Sequence, residues 1–457
     1  MTWRKAEAPM NITVREQIEA KVPRYTSYPT APHFHAGIGE ADVVRWMDAL
    51  LPGDRVSLYV HVPFCDKLCW FCACHTKHTL RYEPVARFLD VLHAEIRLVA
   101  ARLPKGVTVD AIHFGGGSPT MLTPLDFTRL VAAIRSMLPV SPLAELSVEI
   151  DPNDMTPDRL DALAQAGLTR ASLGVQDFDP RVQQAINRTQ SFDLTKSVVD
   201  GVRQRGATSV NLDLLYGLPH QTTSSLSQTV SRALELRPDR IALFGYAHVP
   251  WFKKHQTMIE ETSLPGPSER LDQFQTAAKL IGQAGYAAIG IDHFALPGDG
   301  LALAAANGRL RRNFQGYTDD QCDTLIGLGP SSVSRFRQGY AQNITATGDY
   351  ETKVHAGQLP VARGIVLTAD DIATAWIIER LMCDFAFDKN TLSELHGDAG
   401  KRLLARASAI AADDVSGLLD EGNRFVIAPT HHAITRTVAA RFDDYLTRGN
   451  ARHSAAV

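Results

Sequence analysis

Apolar, β-branched runs recur through the middle of the chain at 56–62, 111–114, 146–150, 171–175, 210–214 and 241–244. Between them, segments such as 84–102 and 124–138 carry apolar residues three and four apart, which places them on one helical face. Strands that alternate with helices form βαβ units around a parallel sheet. Six such runs between residues 56 and 244 predict an α/β fold, an open partial (β/α)6 barrel rather than a complete eightfold one. A seventh strand is expected near 288–291. Polar residues cluster where the strands end, at Gly115 to Ser118, Glu149 to Asp151, Gln176 and Asp177, Asp213, and Tyr246 to His248. Any one of these is as easily a strand cap or turn. Five together point to a site at the carboxyl ends of a parallel sheet.

The flanks read differently. Residues 1–49 form an N-terminal arm with an extended-looking segment, Arg24-Tyr-Thr-Ser-Tyr-Pro29. Thr368-Ala-Asp-Asp371 is a helix N-cap pattern before a helix over 372–384, and 418–427 reads as a hairpin turning at Gly422-Asn423. That order predicts a small α-rich, winged-helix-like domain over 365–457, read as a structural lid because it has no basic helix. Residues 50–295 are assigned to the barrel and 296–364 to a barrel extension with linking loops. The Gly-, Ala- and Arg-rich stretch 296–316 is expected to be a long loop.

The 457 residues are 45% hydrophobic and 21% charged, which excludes a disordered or fibrous chain. A net charge of −3 argues against nucleic-acid or anionic-membrane binding driven by bulk charge. The first residues have no apolar core of the kind a signal peptide carries, and no run is long enough to span a membrane, so a cytoplasmic protein is expected. Four of the six cysteines, Cys65, Cys69, Cys72 and Cys74, fall within ten residues, while Cys322 and Cys383 stand alone. A secreted disulfide framework spreads its cysteines, so crowded thiols here point to metal or redox chemistry.

Thiolates spaced x3 and x2, as Cys65, Cys69 and Cys72 are, can wrap one face of a cubane iron–sulfur cluster from a single loop. Full ligation takes four cysteines, so three leave one iron open. Cys74, two residues on, is awkwardly placed to be the fourth. Zinc is the competing reading, since His75 and His78 follow directly, but structural zinc sites usually draw ligand pairs from separated segments. Unligated thiols are the remaining alternative. Elsewhere, the Gly115–Gly117 triplet can bring backbone N–H groups close to a carboxylate or ribose because no Cβ intervenes. The Glu149 carboxylate can accept from a ribose diol or an ammonium group.

Cys65-x3-Cys69-x2-Cys72 after a first strand resembles the signature of radical S-adenosylmethionine enzymes. The wider text comprises His61-Val-Pro-Phe-Cys65, His113-Phe-Gly-Gly-Gly117, Gly174-Val-Gln-Asp-Phe178, Ile186-Asn-Arg188, Asp213-Leu-Leu-Tyr-Gly-Leu-Pro219, Tyr246-Ala-His-Val-Pro250 and Arg312-Asn-Phe-Gln-Gly-Tyr317. It resembles the oxygen-independent coproporphyrinogen III oxidase family from Arg24 to about Leu446, with Ala73 where Gly is expected and Ser118 where Thr is expected. The resemblance implies anaerobic oxidative decarboxylation of two propionates of coproporphyrinogen III to vinyls, giving protoporphyrinogen IX in heme biosynthesis. It implies a 4Fe–4S cluster held by Cys65, Cys69 and Cys72, and two molecules of S-adenosylmethionine, one of them on the open iron. Cleavage of that one by an electron from the cluster gives a 5′-deoxyadenosyl radical, which takes a hydrogen from the propionate β-carbon. The hard chemistry is the cofactor's, and the protein positions it.

By the same resemblance, Tyr59, Gly116, Glu149 and Val333 contact the first S-adenosylmethionine, and Phe71 lies beside it. Gly117, Ser118, Gln176, Arg188, Asp213 and Ala247 contact the second. Cys74 is assigned to the substrate step, as a proton or hydrogen donor. Arg24, Arg309, Arg311 and Arg312 are candidates for the substrate's carboxylates, since guanidinium forks suit them. A reductase or flavodoxin-type electron donor and a monomeric chain are also implied. Two other readings share the barrel and cluster: a heme-trafficking relative, and a methyltransferase or cyclopropane-forming enzyme. Cys74 and the Arg24–Pro29 segment speak against the first, and Arg312 to Tyr317 against the second.

Overall fold

The computed structural model describes residue 17 and residues 20–446; the rest of the arm and the last stretch of the C-terminal domain, both assigned above from sequence, lie outside the described residues. One twelve-stranded sheet organises the molecule. In chain order its strands are β1 (Arg55–Val62), β2 (Thr108–Gly116), β3 (Val140–Ile150), β4 (Arg170–Gln176), β5 (Ser209–Tyr216), β6 (Arg240–Gly245), β7 (Ala287–Ile289), β8 (His293–Ala295), β9 (Thr324–Leu328), β10 (Val333–Phe336), β11 (Gly339–Asn343) and β12 (Val361–Val366). Across the sheet they run β12-β11-β10-β9-β1-β2-β3-β4-β5-β6-β8-β7.

The six expected strands are β1 to β6, all parallel, and the sheet's end strands β7 and β12 are not paired with each other, so the barrel is open among the described residues. A seventh parallel strand exists, but it is β9, beside β1. Its short run, Thr324-Leu-Ile-Gly-Leu328, is buried at every position and shows no alternation to read. The strand expected near 288–291 forms as β7 and β8, which pair antiparallel at the far edge. The expected loop over 296–316 is corrected: it contains a helix, Gly300–Ala306, capped by Asp299, and the first strand of a hairpin, Arg311–Asn313 with Gly316–Thr318.

Side-chain alternation along the parallel strands decides where the site lies. Val56, Leu58, Val60 and Val62 of β1 are buried against the outer helices, as are Ile112 and Phe114 of β2 and Leu146, Val148 and Ile150 of β3. Each such side chain contributes about 1.5–3 kcal/mol by leaving water. Alternate positions point inward and line the cavity, among them Ser57 on β1, His113 on β2, Glu145, Ser147 and Glu149 on β3, Ser172 on β4, and Asn211 and Asp213 on β5. A closed barrel fills its interior with branched apolar side chains. This one places polar groups there and keeps a cavity.

The C-terminal region forms helices Ala369–Asp384 and Lys389–Ala411 with a small antiparallel sheet of Ala386–Asp388, Arg424–Ile427 and Leu418–Glu421. Thr368 caps the first helix by accepting from Asp371 N–H, and Gly422 turns the hairpin at φ +67°. The arm segment is not extended. Tyr25 takes a positive φ of 47°, and Tyr25 and Tyr28 are buried in the C-terminal domain's own core. The Tyr25 hydroxyl donates to Asp443 at 3.0 Å, and Tyr28 Oη accepts from Asp444 N–H at 3.2 Å. Arg24 meanwhile donates to the Gly245 carbonyl at the end of β6, at 2.7 Å. The segment therefore ties the domain to the barrel.

Candidate active site

A cavity of about 350 Å³ runs along the barrel interior and opens at the carboxyl ends of the strands beside the cysteine loop. Its rim is the cysteine loop that leaves β1. A two-residue parallel bridge between Phe64–Cys65 and Lys77–His78 closes this loop at its root. Neighbouring segments grip its carbonyls: Asn187 Nδ2 donates to Leu68 O at 2.9 Å, Gln256 Nε2 to Phe71 O at 2.9 Å, and Lys253 Nζ to Cys74 O at 2.8 Å. His255 Nε2 reaches Cys72 O at 2.7 Å and His61 Nε2 reaches His75 O at 2.9 Å. A loop held from so many sides loses little entropy when it takes up a ligand.

Cys65, Cys69, Cys72 and Cys74 all line the cavity, as does Phe71. All six cysteines are free thiols. Among the described residues no three His, Cys, Asp or Glu side chains are grouped to hold one metal ion. A cubane asks for something different, with each thiolate on its own iron. Burial pushes the Cys65 and Cys69 thiols up, Cys65 further because Cys72 and Cys69 crowd it, Cys69 less because Arg188 stands beside it. The Cys72 thiol is brought down to about 7, chiefly by a hydrogen bond from Cys74. Cys74 also donates its N–H to Cys72 Sγ at 3.3 Å. The three thiols spaced as a cluster loop, each on the cavity wall, fit a 4Fe–4S cluster, with the fourth bonded to its neighbour. His75, half-buried, is turned to Thr345 O at 2.9 Å, and His78 is exposed.

Across the cavity stands Glu149. Burial favours its neutral form, but His113 and the Gly116 N–H, which donates to Oε2 at 3.1 Å, outweigh this and hold the carboxyl below its usual range. His113 Nε2 lies 3.3 Å from Glu149 Oε1 and Nδ1 lies 2.5 Å from Ser147 Oγ, so one tautomer serves both, donating to the carboxylate and accepting from the hydroxyl. Sequence reasoning missed His113 and Ser147, although the period of two along β2 and β3 places both on the inward face with Glu149.

The glycine triplet brings one N–H, that of Gly116, onto a carboxylate, and directs its other donors to the cysteine-loop root. Gly117 N–H donates to Val62 O at 2.8 Å and Ser118 N–H to Phe64 O at 2.7 Å. With Gly116 N–H on Glu149, these donors already bind the protein, so the triplet is no open nest of N–H groups. Its glycines serve close approach instead. A Cβ on Gly117 would sit 2.5 Å from Phe64 O, and one on Gly116, at φ +111°, 2.5 Å from the His61 ring. The triplet thereby clamps β2 onto the root of the cysteine loop. Ser118 lines the cavity, yet its hydroxyl donates to buried Asp154.

Arg188 is buried beside the cysteine loop. Only 8% exposed, it donates through Nη1 to Asp151 at 2.8 Å and through Nη2 to Gly174 O at 2.8 Å, with Nη1 3.6 Å from Cys69 Sγ. Gln176, at φ +68° on the irregular end of β4, lines the cavity beside it. Asp213 accepts from Asn211 Nδ2 at 2.7 Å, and burial together with Glu149 raises its carboxyl to about 6. Tyr59, Ala247 and Val333 are not part of the cavity lining. Tyr59 bonds His61 Nδ1 at 3.1 Å and stacks on His113, the Ala247 carbonyl accepts from Gln256 at 3.2 Å, and Val333 packs with Phe34, Tyr340 and Ile365. None of Arg24, Arg309, Arg311 and Arg312 lines this cavity, nor does any residue from Arg24 to Pro29. Gln315, at the turn of the Arg311–Thr318 hairpin, does line it.

Residues 59–233 match the model of the radical SAM superfamily. The chain is 48% identical over 440 residues to the oxygen-independent coproporphyrinogen III oxidase of Paracoccus denitrificans, covering 96% of this chain and 97% of that protein. It is 38% identical over 429 residues to the enzyme of that name from Escherichia coli, covering 93% of both. The solved structure of the Escherichia coli coproporphyrinogen III oxidase, described as a radical SAM enzyme, superposes with a TM-score of 0.88 at 36% identity, covering 93% of this chain and all of that one. With its cysteine loop, open barrel and full-length likeness, the chain belongs to the oxygen-independent coproporphyrinogen III oxidase family of radical SAM oxidoreductases, whose cofactors are a 4Fe–4S cluster and S-adenosylmethionine.

Proposed function

We propose that this chain converts coproporphyrinogen III to protoporphyrinogen IX by oxidatively decarboxylating two propionates without oxygen. The observation that carries the reading is the joint placement of the cysteine loop and the Glu149–Gly116 pair on one interior cavity. Cys65, Cys69 and Cys72 would hold the cluster. When bound, cluster and S-adenosylmethionine together supply a one-electron cleavage that yields a carbon radical able to abstract hydrogen.

The rest is the protein's work. Glu149, kept ionised by His113 and Gly116, suits the ammonium or ribose of the first S-adenosylmethionine, with Phe71 beside it. Tyr59 acts by holding His61 and His113 in place, and Val333 by backing the wall. Arg188, Asp213, Gln176, Ser118, Gly117 and Ala247 are assigned to the second S-adenosylmethionine. Arg188 and Asp213 supply charges of both signs, which suits a zwitterionic ligand. Cys74, hydrogen-bonded to Cys72, is assigned to hydrogen or proton delivery at the substrate.

We assign the electron donor to the flavodoxin or reductase class. Lys253 reaches Cys74 O on the cysteine loop, and exposed Trp251 and Phe252 with Lys254 flank it in the chain, an apolar and basic face for such a partner. No helix among the described residues is long and apolar enough to cross a membrane. Six free thiols suit a reducing cytoplasm. A monomer completes the proposal, with residues 50–295 as catalytic barrel, 296–364 as its extension, and arm and C-terminal domain as cover. The test is anaerobic turnover of coproporphyrinogen III by the reconstituted protein with a chemical reductant, with vinyl product and 5′-deoxyadenosine both measured. Formation of both supports the reading, and 5′-deoxyadenosine without vinyl product contradicts it.

A further inference from the structure

A second cavity, about 780 Å³, lies outside the barrel between the Arg311–Thr318 hairpin, the turn after β10 and the C-terminal domain. It has more than twice the volume of the barrel cavity. Seven arginines line it against four carboxylates, Asp323, Glu379, Asp384 and Asp388. The carboxylates do not neutralise it. Arg311 and Arg380 take up Asp323, Glu379 and Asp384, while Asp388 caps a helix through Thr391 and accepts from Asn423. Arg309, Arg335 and Arg424 have no carboxylate within ion-pair distance among the described residues.

Arg312 sharpens the picture. It is 8% exposed, and its Nε and Nη1 are buried with no hydrogen-bond partner. Its nearest carboxylate, Asp292, is 3.8 Å away, and its guanidinium rests on Tyr317 at 4.4 Å. A buried guanidinium with orphaned donors has a standing need for an acceptor. Aromatic rings, among them Tyr340 and Trp376, complete the walls. Arginines set between broad aromatic faces suit a wide apolar ring that bears carboxylates at its edge.

The geometry points to this cavity as a docking site for a tetrapyrrole carrying several propionates, held outside the barrel. This rests on the substrate class proposed above. The hairpin is the shared wall: Arg312 faces the outer cavity, and Tyr317, beneath it, lines the inner one. A macrocycle that must present two propionates in turn thereby has a place to be held near the barrel. The surplus of cations favours the tetracarboxylate over a dicarboxylate product.

The probe is coproporphyrin III, the stable oxidised ring, titrated anaerobically into the holoenzyme while tryptophan fluorescence is followed. Comparison with Trp376→Phe isolates the signal of Trp376, the one tryptophan on this cavity among the described residues. Saturable quenching of Trp376, weakened at least tenfold in Arg335→Gln/Arg424→Gln and weaker for protoporphyrin IX, is the expected result. Absence of quenching from Trp376, or equal affinity in the double variant, overturns the inference. So does displacement of the ring by equimolar pyrophosphate, which would mark a general anion site. Turnover of coproporphyrinogen III is measured in parallel. Lost or absent porphyrin binding with turnover intact rejects this cavity and leaves the proposed function standing, whereas binding without turnover does the reverse. Arg335→Lys, which keeps the charge, should retain most of the affinity and guards against a folding defect.

Discussion

Arg188 and Asp151 form a 2.8 Å ion pair that joins the loop after β4 to the end of β3, directly under Cys69. The pair fixes the height of the cysteine loop over the barrel, because the same guanidinium also holds Gly174 O. Replacing Arg188 with Ala leaves Asp151 and Gly174 O without this donor. We expect a loss of about 1–3 kcal/mol in unfolding free energy, together with loss of one S-adenosylmethionine site by equilibrium binding. Arg188→Lys should restore charge but not the forked contacts, and so recover stability without binding. Two intact sites in Arg188→Ala would refute its assignment.

The thiols separate into two groups. Cys65→Ser, Cys69→Ser or Cys72→Ser should each abolish the visible absorbance of the reconstituted cluster and all activity. Cys74→Ser should keep iron content near that of the parent and lower turnover at least tenfold. Iron loss in Cys74→Ser would overturn the three-ligand assignment.

Glu95 gives a pH signature. It lies in the core, accepting from Gly329 N–H at 2.7 Å, Asn343 Nδ2 at 2.7 Å and Tyr350 Oη at 2.6 Å, yet burial outweighs these bonds and raises its carboxyl to about 7. A carboxyl raised on folding favours the folded state when protonated. Its contribution is full below the ordinary value of 4.5 and is lost as pH rises through about 7. Denaturant midpoints of the parent should therefore carry a downward component between pH 5 and 8 that Glu95→Gln lacks. Parallel profiles would contradict this.

Removal of residues 1–30 is expected to do more than uncover the barrel. Tyr25 and Tyr28 belong to the core of the C-terminal domain, and truncating a buried aromatic costs about 3–5 kcal/mol. The truncated protein should lose part of its cooperative unfolding transition while the barrel still binds its cluster. An unchanged transition would show that the segment only rests on the surface.

The parallel strands and the cysteine loop could be read from sequence because each has a strong local signal: β-branched runs between turns, and thiols at fixed spacing. The capped helix after Thr368 and the Gly422 hairpin were legible for the same reason. What escaped was set by tertiary contact. β9 is short and buried throughout, so no alternation marks it. Tyr25 and Tyr28 look like a polar-tipped arm until Asp443 and the Asp444 N–H, more than 400 residues away, meet their hydroxyls. The triplet's N–H groups seemed open to a ligand because sequence cannot show that Val62 O and Phe64 O already take them. Guanidinium chemistry marks Arg309, Arg311 and Arg312 as candidates for the substrate's carboxylates, but sequence cannot show that the hairpin sets them on the outer cavity and not on the barrel cavity.

The central claim is that this cavity brings a cofactor-derived radical to the β-carbon of a propionate. Coproporphyrinogen III deuterated at the propionate β-carbons, turned over anaerobically by the reconstituted enzyme, tests it most directly. Mass analysis should find deuterium in 5′-deoxyadenosine, with one label transferred per vinyl group formed. Unlabelled 5′-deoxyadenosine accompanying vinyl product would contradict the account.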